Sequence, residues 1–453
     1  MANQSLLRIA KEIKGIQQSN DLSIIVAHQD EDIRNLKALI LGTPGSPYEY
    51  GFFEFSVKFG SEYPSKPPKV DAKTTNSGRT RFNPNIYAGG KVCLSILGTW
   101  HGELPGEEWS SAQGLESVLW SIQSLMSNDP YGNEPGFEGR STDEDKKKND
   151  AYCAKIRHET IRIGVVQKLE QMFGIQTDGS IAKPAEKEGW ASDSSDSSSE
   201  DEEEGKEKLK WEPFTDWQKC RFLWYYDTYL NTIEAEAPKH KDGEKFEQMP
   251  FEGGSNTMDG TYQYVQLGKR LLRVKQVIYE ETEQWAKDGL AARDRDSSKA
   301  YAMQSQFNVV KHHQANCGIP NIDVELENDN PFVWIMTYFG KPESNLDGGV
   351  FKIKISTSVK FPEEQPRVRV MTPMYHHRVS KDGVLCYQAN KPDEMKNHIQ
   401  MIVNAIEEQS PPYDPRCIVN PEAAKLYFGS KDERKKYDRS QRRSAQDSLE
   451  FDE

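Results

Sequence analysis

The sequence predicts an α+β protein in which one fold, a four-stranded antiparallel meander with flanking helices, is used twice. Three observations carry this. Strand-like runs at Leu22 to Ala27, Ile33 to Leu41 and Phe52 to Phe59 follow an amphipathic helix and are joined by turn residues. The same grammar restarts near Ser298: Asp347-Gly348-Gly349-Val350-Phe351 repeats Glu49-Tyr50-Gly51-Phe52-Phe53, and Phe361-Pro362-Glu363-Glu364-Gln365-Pro366 repeats Tyr63-Pro64-Ser65-Lys66-Pro67-Pro68. Each copy then sets one cysteine behind a glycine turn, Cys93 after Gly89-Gly90-Lys91-Val92 and Cys386 after Asp382-Gly383-Val384-Leu385.

The elements follow in order. Leu6, Ile9, Ala10, Ile13 and Ile16 recur at helical spacing, with Arg8, Lys11 and Lys14 on a different face, read as a solvated face or a docking surface. The turn Gly42 to Tyr48 joins the second and third strands, and the prolines of 63–68 end the meander, because proline cannot continue a central strand. Ser110 or Ser111 is expected to cap a helix carrying Leu115, Val118, Leu119, Ile122, Leu125 and Met126 on one stripe. Residues 128–136 break it, and a long helix is expected around Tyr152 to Phe173.

Ser192 to Glu204 reads SDSSDSSSEDEEE. Such a tract has too little apolar surface to offset chain entropy and is expected to be a disordered, solvating linker; its serines also suit an acid-directed kinase. Two aromatic-rich helices follow, Phe214 to Ile233 and Tyr262 to Trp285, whose Phe222, Trp224, Tyr225, Tyr226 and Tyr229 are expected to pack against protein. In the second copy a helix with Tyr301, Phe307 and Val310 precedes three strands, and a later helix carries Met395, Ile399, Ile402, Val403 and Ile406. The expected division is 1–175, first domain; 176–210, acidic linker; 211–297, helical extension; 298–445, second domain; and 446–453, acidic tail.

Composition bounds the function. At 453 residues there is room for two or three domains. A net charge of -13 argues against a general nucleic-acid-binding surface. No apolar run approaches the roughly 18 residues of a membrane helix, and the N-terminus lacks the apolar core of a secretion signal. The six cysteines are scattered without paired spacing, which points to free thiols in a reducing cytoplasm or nucleus.

The order of helix, meander, Tyr63-Pro64-Ser65-Lys66-Pro67-Pro68, Asn83-Pro84-Asn85, Gly90-Lys91-Val92-Cys93-Leu94, Trp100 and crossover helix resembles the ubiquitin-conjugating enzyme family. Asn83 stands where that family has a histidine. The resemblance covers residues 1 to about 175 and implies an acyl transferase. Cys93 would accept the C-terminal carbonyl of ubiquitin or a ubiquitin-like protein from an activating enzyme as a thioester, which a substrate lysine then attacks. No metal and no bound cofactor is implied; ATP is used by the activating enzyme.

By the same resemblance Asn85 donates to the oxyanion or braces its loop. Glu134 is the acid that orients the lysine, with Asp129 as the alternative. Arg8, Lys11 and Lys14 dock the activating enzyme. Ser65, Ser111 and Ala112 lie in the ligase-contact loops, where Ser65 departs from the usual apolar residue. The insertion 102–108 is a candidate gate.

Cys386 is a possible second site with weaker support. His376, His377 and Arg378 replace Asn83-Pro84-Asn85, and Cys417 falls at the acid position. The second domain is read as non-catalytic or weakly active, binding modifier, substrate or the first domain; a regulatory Cys386–Cys417 disulfide is a lesser reading. His312, His313 and Cys317, like His376, His377 and Cys386, lack zinc-ligand spacing. The rival to an enzyme is a non-catalytic modifier-binding scaffold built from two such folds.

Overall fold

A computed structural model of the chain describes residues 2–19, 21–100, 108–139, 142–182, 211–254, 257–316 and 321–451. The acidic tract, most of the 102–108 insertion and Cys317 lie outside the described residues. Helix α1 (Ala2–Gln18) leads into β1 (Ile24–Gln29), β2 (Asp32–Leu41), β3 (Phe52–Lys58) and β4 (Lys69–Ala72). These form one antiparallel sheet in chain order, with Leu39 opposite Glu54 and Val57 opposite Val70.

Both faces of this sheet are buried, which explains why β2 is a near-continuous apolar run. Ala38, Ile40, Phe53, Phe55 and Val57 face a core shared with α1 and α2 (Leu115–Ser124). Leu39, Leu41 and Phe52 face the opposite way, into a core built with α5 (Thr215–Glu236) and α6 (Tyr264–Asp294). The expected packing of the aromatic helices holds: Phe222, Trp224, Tyr225, Tyr226 and Tyr229 are all buried there. Between them runs α3 (Asp143–Glu159), opened by a Thr142–Asp145 capping box, then a π-helical stretch Thr160–Gln167 and α4 (Lys168–Phe173). The helix thus begins nine residues before the expected Tyr152.

After α7 (Ser298–Asn316) the second copy forms β5 (Ile322–Leu326), β6 (Val333–Phe339), β7 (Val350–Ser356) and β8 (Arg367–Val370), again antiparallel and in chain order. Helix α8 (Met395–Glu407) packs on it through Met395, Ile399, Ile402, Val403 and Ile406. A short helix, α9 (Pro421–Tyr427), and a longer one, α10 (Lys431–Asp447), follow. The second helix of the extension is longer than expected, and α7 turns Ala300, Met303 and Val310 inward while Tyr301 is 81% exposed. Ser448 is buried and its hydroxyl accepts from the Val350 amide, inside the stretch expected as tail.

The repeat is exact in its turns. Gly42 and Gly340 each accept no side chain, because a Cβ would collide with the carbonyl oxygen of Tyr48 or Leu346. Tyr63-Pro64 and Phe361-Pro362 are both cis. The serine cap of α2 is not observed. Gly114 is the N-cap, and Glu12 reaches across from α1 to accept from the Leu115 amide at 3.0 Å. A Cβ on Gly114 would crowd that carboxylate, so the helix start is capped from outside its own segment.

Candidate active site and its second copy

The two cysteine loops are hung from the same frame. Gly90 and Gly383 have φ of 95° and 83°, and a Cβ at either would meet the carbonyl of Ala72 or Val370. Their own carbonyls accept from the Ala72 and Val370 amides at 2.7 and 2.8 Å. Three residues on, the amide of Cys93 donates to Asn85 O at 2.8 Å and that of Cys386 to Arg378 O at 2.9 Å. The frame therefore fixes both sulfurs against β4 and β8, whatever the surrounding residues are.

Around Cys93 the side chains converge. The amide Nδ2 of Asn85 donates back to the Cys93 carbonyl at 3.0 Å, so the loop is closed from both sides. Asn85 is held in turn by Asn83, whose Oδ1 accepts from its backbone amide at 2.9 Å. Asn83 is fully buried and donates to Tyr48 Oη and Leu125 O, each at 2.9 Å. The residue standing in the place of the family's histidine is thus a structural anchor. Burial, followed by the neighbouring Cys93 thiol, pushes the Tyr87 hydroxyl above the ordinary tyrosine value. It keeps its proton at neutral pH.

Glu134 is near this group but is not free. Its carboxylate pairs with Arg81 at 3.1 Å, and Arg81, 3% exposed, lies with its guanidinium 4.8 Å from the Tyr87 ring. Arg81 also donates to Pro84 O at 2.7 Å and to Phe251 O at 3.3 Å. Asp129 is exposed and accepts from the Gly132 amide, a turn contact. Tyr87, Arg81 and Phe251 are the functional neighbours that the sequence reading missed. Tyr87 lay within the cysteine stretch and carried a hydroxyl at helix-free spacing from Cys93; Phe251, in the extension, left no local signal.

The extension holds Phe251 in place. Phe251 packs on Tyr131, Phe137 and Tyr152, and the next residue, Glu252, forms a buried ion pair with Lys155 at 2.6 Å. Both members are almost fully buried, and three further hydrogen bonds satisfy them: Lys155 to Glu252 Oε1 and Glu247 O, and the Met249 amide to Glu252 Oε2.

The residues expected to dock partners lie on α1 and on the loops around Ser65 and Ser111. Ser65, Ser111 and Ala112 are exposed, and Trp109 joins their loops by donating to Pro64 O at 2.8 Å. Lys11 and Lys14 are exposed on α1, and Arg8, with its side chain 38% exposed, pairs with Glu12 and donates to Gln113 O at 3.1 Å.

Cys386 sits in other company. Both sulfurs are nearly buried, at 3% and 1% exposure, so exposure does not separate them. Cys93 stands outside the hydrophobic cores of the described residues, in front of exposed Gly98, Thr99 and Trp100. Cys386 is part of the core with Tyr225, Val384 and Val419. Arg378, in the position of Asn85, turns away to Glu408 at 2.6 Å. His376 and His377 stack on each other, and His377 on Tyr427, in a buried aromatic box. Cys417 packs against the same apolar cluster as Cys386.

Residues 8–160 and 303–444 match the family model described as ubiquitin-conjugating enzyme. The chain belongs to the ubiquitin-conjugating enzyme family. Over 169 residues it is 47% identical to ubiquitin-conjugating enzyme E2 Z of Xenopus tropicalis, covering 37% of this chain and 52% of that protein. The human E2 Z is likewise 47% identical, with 46% of its length covered. A dual E2 ubiquitin-conjugating enzyme/E3 ubiquitin-protein ligase, BIRC6 of Homo sapiens, is 42% identical over 154 residues, 33% of this chain and 3% of that one. The chain thus spans about half the length of the E2 Z relatives. Among solved structures, a ubiquitin conjugating enzyme E2 domain of Toxoplasma gondii is 26% identical, covering 35% of this chain and 97% of that one at a TM-score of 0.28. Among the described residues no helix is long and apolar enough to cross a membrane.

Proposed function

We propose that the first domain is a working conjugating enzyme that carries ubiquitin or a ubiquitin-like protein as a thioester on Cys93 and passes it to a substrate lysine. The observation that carries this is the closed loop around Cys93, its amide on Asn85 O and its carbonyl on the Asn85 side-chain amide. A thiol so held presents its sulfur at a fixed point to an incoming thioester.

Charging forms a carbon–sulfur bond at Cys93 and releases the activating enzyme's thiol. In the second step the lysine nitrogen adds to the carbonyl, the oxyanion collapses, and the Cys93 thiolate leaves. Tyr87 donates to that departing sulfur. The observed Asn85 contact supports the role of a loop brace, which becomes an oxyanion donor only if its amide swings from the Cys93 carbonyl. Glu134, neutralised by Arg81, is better suited to positioning Arg81 and Tyr87 than to receiving a proton from lysine. The partners are then the modifier, its activating enzyme and a ligase or substrate; the surface of Ser65, Ser111, Ala112, Lys11 and Lys14 is the docking face. No cofactor is required beyond the ATP spent by the activating enzyme.

For the second domain a specific observation favours a non-catalytic role: Cys386 is packed against α5, and Arg378 is engaged with Glu408. It is proposed to recruit modifier or substrate for the first domain. Incubation with activating enzyme, ATP and ubiquitin is expected to give a reducible adduct, converted by Cys93→Ser to a reduction-resistant ester. Binding of modifier without any adduct, for every activating enzyme tried, would instead favour a scaffold.

A further inference from the structure

We infer that Cys386 and Cys417 form a redox pair whose disulfide fastens the Pro415–Cys417 turn to the second domain's cysteine loop. The backbone brings the two segments together. Cys386 N–H donates to Arg378 O at 2.9 Å, and the amides of Val419 and Asn420 both donate to the neighbouring His377 O at 3.2 Å. The two side chains line one cavity of about 510 Å3 together with Arg378 and Trp224, and Cys417 packs against the apolar cluster that holds Cys386.

The placement of Cys417 gives the pair a consequence. It ends the turn Pro415–Cys417, through which the second domain grips the other two units. Pro415 O accepts from Tyr50 Oη of the first domain at 2.7 Å, and Arg416 O from Tyr225 Oη of the extension at 2.8 Å. Arg416 also reaches Asp21 and Ser23 at 2.8 and 2.9 Å. The Tyr50 and Tyr225 rings stack at 3.8 Å beneath this turn. A covalent bond from Cys417 to Cys386 would anchor this turn within its own domain.

The chemistry divides between the two thiols. Cys417 is partly exposed, and the neighbouring Cys386 thiol favours its thiolate, whereas burial holds Cys386 in the thiol form. A hydroperoxide is the oxidant. The Cys417 thiolate attacks the peroxide oxygen, giving a sulfenic acid and an alcohol that takes up the thiol proton. The Cys386 sulfur then attacks the sulfenic sulfur, and hydroxide leaves with the Cys386 proton as water. Two thiols lose one electron each, and the peroxide gains both.

The test uses the full chain. Fully reduced protein is treated with one equivalent of hydrogen peroxide, remaining thiols are alkylated, and peptides are mapped by mass spectrometry, with hydrogen exchange followed over 413–417. The expected result is a reducible Cys386–Cys417 cross-linked peptide, loss of alkylation at both, and slower exchange in the turn. Cys417→Ser is expected to leave Cys386 alkylatable after denaturation and to show no cross-link. Oxidation of Cys417 to sulfinic acid without a cross-link, preferential pairing of either with Cys153 or Cys220, or a cross-link that leaves turn exchange unchanged would each overturn the inference. The wild-type readout needs no variant to fold, and none of these outcomes depends on Cys93 carrying a modifier.

Discussion

The two halves of this chain place a cysteine on the same frame and surround it with opposite chemistry. Gly90 and Gly383, the carbonyls of Ala72 and Val370, and the carbonyls of Asn85 and Arg378 superimpose the two loops bond for bond. What differs is the third layer, and most of it comes from the helical extension. Its loop braces the first site, through Phe251 on Arg81 and Glu252 on Lys155. Its first helix lies over the second, where Tyr225 and Trp224 meet Cys386 and its cavity. Duplicating a fold duplicates the loop; whether the cysteine is usable depends on what is packed in front of it.

The comparison can be broken at the brace. Glu252→Ala leaves Lys155 buried without its partner, an expected loss of about 3–5 kcal/mol from the first domain, read by denaturant melts. The second sheet, with no contact to Glu252, should keep its hydrogen-exchange protection. Asn85→Ala opens the Cys93 loop. Transfer to lysine is expected to fall about a hundredfold, as measured by discharge of preformed thioester, while Arg378→Ala leaves charging unchanged.

Acid sharpens the contrast from the other side. Burial and Arg378 push His376 down to about 3, and burial, His376 and Arg378 push His377 down to about 2. Both are neutral when folded, whereas the unfolded chain takes up these protons near pH about 6.5. Between there and pH 3 the unfolded state binds more protons, so stability falls as pH falls, by up to about 1.4 kcal/mol per pH unit for each histidine. Hydrogen exchange should therefore show acid loosening around α9 and α10, with His377→Gln shifting it to lower pH. The smallest effect is at Tyr87: Tyr87→Phe removes the proposed donor to the departing sulfur and should slow discharge of the preformed thioester to lysine about threefold to tenfold, with no change in thermal stability.

Much of the fold was legible because it was written twice. Phe361-Pro362 against Tyr63-Pro64, and Gly383 against Gly90, each carry a turn that only one backbone path satisfies. Cys93 was read from its place behind the glycine turn, and Asn85, eight residues before it, from the family resemblance, since the second copy has Arg378 there. The rest depended on distant chain. Glu12 caps α2 from 103 residues away, and Arg81 meets Phe251 across 170. Glu134 was read as the acid that orients the lysine, with no sign of Arg81, its ion-pair partner 53 residues earlier. Arg8 was read with Lys11 and Lys14, but its guanidinium is taken up by Glu12 and Gln113.

The most direct measurement is the number and position of thioesters on the full chain. After incubation with activating enzyme, ATP and ubiquitin, intact mass should show one ubiquitin per chain in the wild type and in Cys386→Ala, and none in Cys93→Ala. Two ubiquitins on the wild type, or a thioester that survives Cys93→Ala and disappears in Cys386→Ala, would contradict the assignment of Cys93 as the working cysteine.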